Sequence, residues 1–390
     1  MKKVLFLATF DFNLWGGGRQ AVRAYLDSTL EAFGTDNVDV MIGAEYNLLD
    51  EYKNLKTIVV PKRSKIKSLF GFLKGSMARW ALPLKQFINQ HCKEYDLVII
   101  NSGIIGSIVP SIKKRGLKVI TIHHNEEIEY CMENKNIYTL GGRCSFFVNN
   151  AQKKAYKYSD VNLFLTVQDK EKFESIYGKP VAQINEVIGV YDYKSAKPIR
   201  EFPSTVNYDI SVSGSLSTYQ TMHGIIDIMN NYFDIVLELI PDCRILFTGR
   251  NPSSEITKVA NENIKNIDIL PNPIDIISNI QKSFIYLCPT DIGGGLKLRV
   301  MDGLKSGMPI LVHKVSARGY DLFIGKPYFK IYDDRESFRN GLKELLEFIS
   351  DINIDKKRQI SDDYYSYFSY RAGTNRFKEQ LRYINLTTLD

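Results

Sequence analysis

The sequence predicts an α/β protein built from two Rossmann-like domains, and three observations carry that expectation. Apolar, strand-like runs alternate with helix-length segments along most of the chain, which is the pattern of βα units around a mostly parallel sheet with helices on both faces. At 390 residues the chain is too long for one ordinary hydrophobic core and suits two. From Lys194 to Asn207, Pro198 and Pro203 stand among polar residues and interrupt the alternation, so this stretch reads as a linker.

In chain order, the first domain's strands are expected at Val4–Ala8, Val38–Ile42, Thr57–Val60, Leu97–Ile100, Lys118–Ile122 and Val161–Leu165. Those of the second are expected at Ile210–Ser213, Arg244–Thr248, Ile267–Leu270, Ile285–Cys288 and Ile310–Val312. After Asp333 the chain reads as helical, first over Ser337 to Ile349 and then as one long helix from Ser361 to Ile384. A hydrophobic content of 44% and a charged content of 24% are those of a soluble globular protein. The start, Met1 to Phe10, imitates a signal peptide, but its apolar part is short and it lacks a cleavage site, so it reads as a first buried strand. Five scattered cysteines, Cys92, Cys131, Cys144, Cys243 and Cys288, have no C-x-x-C spacing and argue for a reducing cytoplasm.

The run Asp291-Ile-Gly-Gly-Gly-Leu-Lys-Leu-Arg-Val-Met-Asp302 carries the most chemistry. It lies between two apolar runs, and Leu298, Met301 and Leu304 give it helical spacing. The expectation is a triple glycine opening a helix, whose bare amides cradle an anion. Lys297 and Arg299 add positive charge beside that cradle, and Asp302 lies one turn further on as an acceptor for a ribose diol. Together they describe a nucleotide-diphosphate site. Two further strand ends carry polar residues: Ser213-Gly214-Ser215, and His123-His124-Asn125-Glu126-Glu127. Ligands of open α/β sheets bind at such carboxyl ends. Arg250, in Phe247-Thr-Gly249-Arg250, ends another strand.

Over residues 290–312 the chain resembles the family 4 glycosyltransferases of the GT-B fold, whose donor helix reads approximately G-G-x-x-x-K-x-x-E-A-x-x-x-G-x-P. Gly294, Gly295, Arg299, Asp302, Gly307 and Pro309 fall on that pattern. Arginine stands at 299 where lysine is usual, and Asp302 replaces a glutamate. The family's first motif glutamate falls at Gly294, so the likeness is to a triple-glycine branch. His124-Asn125 with Glu127 resembles the family's H-N-x-E stretch, in which a histidine faces the reacting sugar carbon. The choice between His123 and His124 stays open, with His124 favoured. Gly214-Ser215-Leu216 resembles the opening of the donor domain, and His223 occupies the place of a basic residue that clamps the diphosphate.

The resemblance implies a GT-B architecture. An acceptor-binding domain would span 1–195 and a donor domain 205–365, facing each other across a cleft, and residues 366–390 would form a C-terminal helix returning to the first domain. It implies sugar transfer from a nucleotide-diphosphate sugar to a hydroxyl of a glycan or polyprenyl-linked acceptor, with retention and without a metal, in surface polysaccharide synthesis. His124, His123, Lys297 and Arg299 would carry catalysis. Gly17, Gly18, Gly214, Ser215, Arg250, Gly294, Gly295, Leu296 and Asp302 would bind the donor, and Asn125 and Glu127 the acceptor or sugar. No resident cofactor is expected, since the nucleotide sugar is a co-substrate. A catalytically inactive GT-B partner subunit or sugar-nucleotide-binding module is the alternative class.

The absence of D-x-D, H-E-x-x-H, G-x-S-x-G and G-x-x-x-x-G-K-[ST] removes metal-dependent diphosphate sites of the other large glycosyltransferase fold, zincins, common serine hydrolases and P-loop enzymes. The G-x-G-x-x-G fingerprint is missing from Gly16-Gly17-Gly18-Arg19, which disfavours NAD. The net charge of +7 is concentrated: no acid occurs between Glu51 and Glu94, while residues 62–85 interleave lysines and arginines with Phe70, Phe72 and Trp80. A basic, aromatic segment of this kind suits peripheral contact with an anionic membrane. Nothing resembles a nucleic-acid module. A cytoplasmic protein, peripheral on the inner face of the membrane, is therefore expected.

Overall fold

In a computed structural model, the described residues are 3–8, 12, 17–44, 47–61, 81–126, 145–180, 183–203 and 205–383. Glu127, Cys131, Cys144 and residues 62–80 of the basic stretch lie outside them. The chain divides into two compact units: Met1–Ala196 with Gly294–Leu296 and Phe368–Asp390, and Lys197–Gly293 with Lys297–Tyr367.

The first unit holds a seven-stranded sheet of β1 (Val4–Leu7), β2 (Val38–Gly43), β3 (Thr57–Val60), β4 (Leu97–Ile100), β5 (Lys118–His123), β6 (Val161–Phe164) and β7 (Ile184–Val187). Every pairing is parallel, in the order β3-β2-β1-β4-β5-β6-β7. Central strands of such a sheet are covered on both faces, which is why Val4–Leu7 and Leu97–Ile100 are unbroken apolar runs and fully buried. One face packs Leu5, Leu7, Val98 and Ile100 with Leu84, Ile108 and Ile112 from the crossover segments. Each such side chain contributes about 1.5–3 kcal/mol on leaving water.

The second unit holds a six-stranded parallel sheet of β8 (Tyr208–Ser215), β9 (Ile245–Arg250), β10 (Ile267–Pro271), β11 (Ser283–Cys288), β12 (Ile310–His313) and β13 (Phe329–Tyr332), ordered β10-β9-β8-β11-β12-β13. Its core joins Ile210, Val212, Leu287 and Leu311 to Ile225 and Ile228 of the helix Tyr219–Asn231 and to Phe338 and Leu342 of the helix Arg335–Ile349. These two sheets and their helices are the architecture that the sequence predicts.

Two strands escape the sequence reading, β7 and β13. Both are edge strands. Ile-Asn-Glu-Val and Phe-Lys-Ile-Tyr are only partly buried, so neither needs a continuous apolar run. The long C-terminal helix is also corrected: it is two helices, Ile354–Phe368 and Tyr370–Arg382. Ser369 separates them as an N-cap, its hydroxyl accepting from the Ala372 amide at 3.3 Å. A serine side chain that satisfies a first-turn amide favours a new helix start over continuation.

The last helix belongs to the first unit and lies along the helix Gly17–Phe33. Ser28 and Thr374 hydroxyls meet at 2.7 Å, and Glu31 accepts from Tyr370 at 2.8 Å and from Lys378 at 2.7 Å. Gly373 permits the approach, because a Cβ there would lie 2.0 Å from the Tyr191 ring. Gly373→Ala is therefore expected to cost about 1–3 kcal/mol through overpacking. Urea unfolding measures it; a variant as stable as the parent would show that the ring yields freely.

Candidate active site

In both sheets the connections reverse direction beside the first strand of the unit. After β8 the chain builds outward to β9 and β10, and after β11 outward the other way to β12 and β13; β1 and β4 are the corresponding pair in the first sheet. At such a point the two crossovers leave on opposite faces and open a crevice beyond the strand carboxyl ends, where ligands of open α/β sheets bind.

In the second unit the crevice lies beyond β8 and β11. The helix Tyr219–Asn231 follows β8, and the helix Leu298–Lys305 follows β11. Neither N-terminus is capped by a side chain, and neither carries an acid in its first turn. The Thr218 hydroxyl, at the first N-cap, instead meets the Ser215 carbonyl and the Thr221 hydroxyl, each at 2.9 Å. Three other helices of this unit are capped by Ser253, Asp275 and Asp334, while the helix Phe233–Leu239 lacks a side-chain cap but carries Asp234 in its first turn. Uncapped first turns leave backbone N–H groups and the positive end of the dipole for an anion.

The glycines do not open the helix as expected. Gly293 and Gly295 have φ of 97° and 71°, which no right-handed helix accommodates, and Lys297 is the N-cap. They form the loop ahead of it. Lys297 is held by its carbonyl, which accepts from the Tyr320 hydroxyl at 2.8 Å. Arg299, in the first turn, donates from Nη1 to the Ser213 carbonyl and lies on Gly214, where a Cβ would be 0.9 Å from Nη1. The structure thus brings Gly214, Ser215, Gly293, Lys297 and Arg299 to one sheet edge. Arg250 joins them from the next strand, in register with Ser215. Asp302, assigned to a ribose from the sequence, pairs with Lys305 at 2.8 Å, a residue that the sequence reading missed.

In the first unit, Gly17 and Gly18 begin the helix after β1. The two adjacent histidines at the end of β5 part company. His123 is only 1% exposed, stacks on Phe164 with centroids 5.1 Å apart and packs against Phe173 at 4.6 Å. Its Nε2 lies 3.0 Å from Asn162 Oδ1, and its buried Nδ1 has no hydrogen-bond partner. Asn162 in turn donates to Asn185 and to the Tyr156 carbonyl, so His123 belongs to a buried polar network. His124, the first residue past β5, has its Nε2 3.2 Å from Oδ1 of Asn101, the first residue past β4, and meets Tyr25 edge-on. Asn101, the partner of His124, is not singled out from the sequence; the turn-forming Asn101-Ser102-Gly103 after an apolar run is the signal that could have found it. Asn125 is half-buried. Glu126, not singled out from the sequence, is buried and accepts from Gln152 at 2.9 Å.

Burial pushes both histidines down, to about 4 from an ordinary 6.5, because desolvation disfavours the imidazolium. Each folded pKa lies below the unfolded one, so between pH 6.5 and 4 the unfolded chain binds the extra protons. The stabilisation is full above 6.5 and falls with pH by roughly 3 kcal/mol per histidine at the lower limit. Urea midpoints should therefore drop between pH 7 and pH 5, and the neutral His123→Gln should show a visibly shallower drop. An equal slope in both proteins would exclude His123 as a source.

Among the described residues, no group of three or more His, Cys, Asp or Glu could hold a metal ion. Nor, among the described residues, is any helix long and apolar enough to cross a membrane.

Two doubly wound parallel sheets in one chain, with the last helix returned to the first unit, define the GT-B class of fold. Neither a family model nor a curated protein sequence matches the chain. Solved structures do. The Anabaena protein HepE, in complex with UDP and glucose, is 15% identical with a TM-score of 0.64, over 98% of this chain and 100% of that one. Sucrose-phosphate synthase from Thermosynechococcus elongatus is 11% identical with a TM-score of 0.69, over 98% and 99%. The lipopolysaccharide outer core galactosyltransferase WaaB, in its apo form, is 12% identical with a TM-score of 0.66, over 98% and 99%. At these identities the likeness is one of fold.

Proposed function

We propose that the protein is a glycosyltransferase that moves a sugar from a nucleotide-diphosphate sugar to a hydroxyl of a glycan or lipid-linked acceptor, with retention and without a metal. One observation carries this reading: two uncapped, acid-free helix N-termini at the β8/β11 switch point, with Lys297 and Arg299 at the second of them. A departing diphosphate develops negative charge, and fixed amides and cations stabilise it without a metal. In this reading Gly214, Ser215, Gly294, Gly295 and Leu296 let the backbone approach the phosphates, and Asp302 and Arg250 hold the nucleoside. Gly17 and Gly18 add amides from the first unit. His124, with Asn101 beside it, faces the sugar, and Asn125 and Glu127 hold its hydroxyls or the acceptor. The fold is that of HepE, solved with UDP and glucose, which makes UDP-sugars the first donors to test.

The experiment is a panel of nucleotide sugars assayed by thermal shift and by release of nucleoside diphosphate. Stabilisation with release supports a transferase. Stabilisation without release, across acceptors, favours the inactive partner or binding module, and the absence of both stabilisation and release defeats the reading.

The proposal extends to an anionic membrane or a polyprenyl-linked acceptor met by the basic stretch 62–85 at the cytoplasmic face. At about 1 kcal/mol per cation near such a surface, four engaged residues suffice for attachment. Sedimentation with anionic liposomes should be strong at low salt, weak at high salt, and lost when Lys62, Arg63, Lys65 and Lys67 become glutamine. Binding that ignores both salt and substitution would exclude it.

A further inference from the structure

His223 sits where the resembled family places a basic clamp, but here its Nδ1 is engaged by Asp291 Oδ1 at 2.9 Å. Ser215, the last residue of β8 ahead of the same helix, carries no charge. The side chain that does reach the glycine loop from this helix is Gln220, its second residue. A Cβ on Gly293 would lie 2.2 Å from Gln220 Nε2 and 2.6 Å from Lys297 Nζ, so both groups cover the same face of Gly293. Gln220 therefore occupies the first turn of one uncapped helix while its amide lies over the loop that leads into the other.

We infer that Gln220 is a third ligand of the donor's diphosphate, a neutral amide donor set beside Lys297 in place of the missing charge. The inference rests on the nucleotide-sugar reading above. An amide at this point directs an N–H at a phosphate oxygen without adding charge, so the site is built with two side-chain cations and one dipole. Gln220 would then set the affinity for the diphosphate and hold its oxygens, with no proton to transfer.

Calorimetric titration of UDP into the full-length protein and into Gln220→Lys, Gln220→Ala and Gln220→Glu tests it. A phosphate ligand orders affinity by charge: lysine at least as tight as glutamine, alanine weaker by about tenfold, glutamate by about a hundredfold. Thermal midpoints without ligand should stay together across the series. A purely structural glutamine would be hurt by all three substitutions alike, or by none, and either pattern overturns the inference. If the parent binds UDP and Lys297→Ala/Arg299→Ala does not, while the Gln220 series binds like the parent, the inference alone fails. If the parent does not bind UDP, or the double variant binds it as the parent does, the donor-site reading fails and the inference with it.

Discussion

Lys297→Ala/Arg299→Ala is expected to abolish sugar transfer and UDP binding while leaving the fold intact. Each charge-assisted phosphate contact contributes roughly 1.5–3 kcal/mol, so removing two costs about two to four orders of magnitude. Arg299 has a second task, since its Nη1 holds the Ser213 carbonyl against Gly214. Arg299→Lys retains the charge but loses the planar fork that can serve a carbonyl and a phosphate together, and should fall between parent and double variant. Turnover near the parent's in the double variant, with an unchanged melting curve, would remove this strand end from the mechanism.

The two histidines should separate just as sharply, in different quantities. His124→Ala is expected to lower kcat by about a hundredfold or more, as loss of a group at the reacting centre does, with UDP affinity little changed. His123→Ala should instead lower stability by about 2–4 kcal/mol, since it leaves a void between Phe164 and Phe173 and strips Asn162 of a partner. Steady-state kinetics paired with urea unfolding distinguishes the outcomes. A catalytic loss at His123 with none at His124 would reverse the assignment.

Much of the fold was legible because central parallel strands must be apolar on both faces, and Val4–Leu7, Leu97–Ile100 and Ile285–Cys288 announce themselves. The edge strands β7 and β13 did not, because partial burial tolerates Asn185, Glu186 and Lys330. The glycine loop stood out in the sequence, yet its placement one step too far into the helix was an error of conformation. Composition records that glycines are present, whereas positive φ at Gly293 and Gly295 decides that they precede the helix. Gln220 carried no motif of its own and became visible only through what it touches, whereas Asn101 had only the turn signal of Asn101-Ser102-Gly103.

By itself the sequence determined the alternation of strand and helix, the chain's length for two cores, and the positions of Lys297, Arg299 and the histidine pair just past apolar runs. Those follow from local chemistry, since burial dictates apolar runs and turns dictate glycine and asparagine. Only the tertiary structure decided that β8 and β11, some seventy residues apart, are neighbours, and so that Gly214 and Arg299 lie against each other. Only it separated His123 from His124. Successive residues on a strand face opposite sides, and a parallel sheet covered on both faces leaves no polar pattern to say which side holds the core.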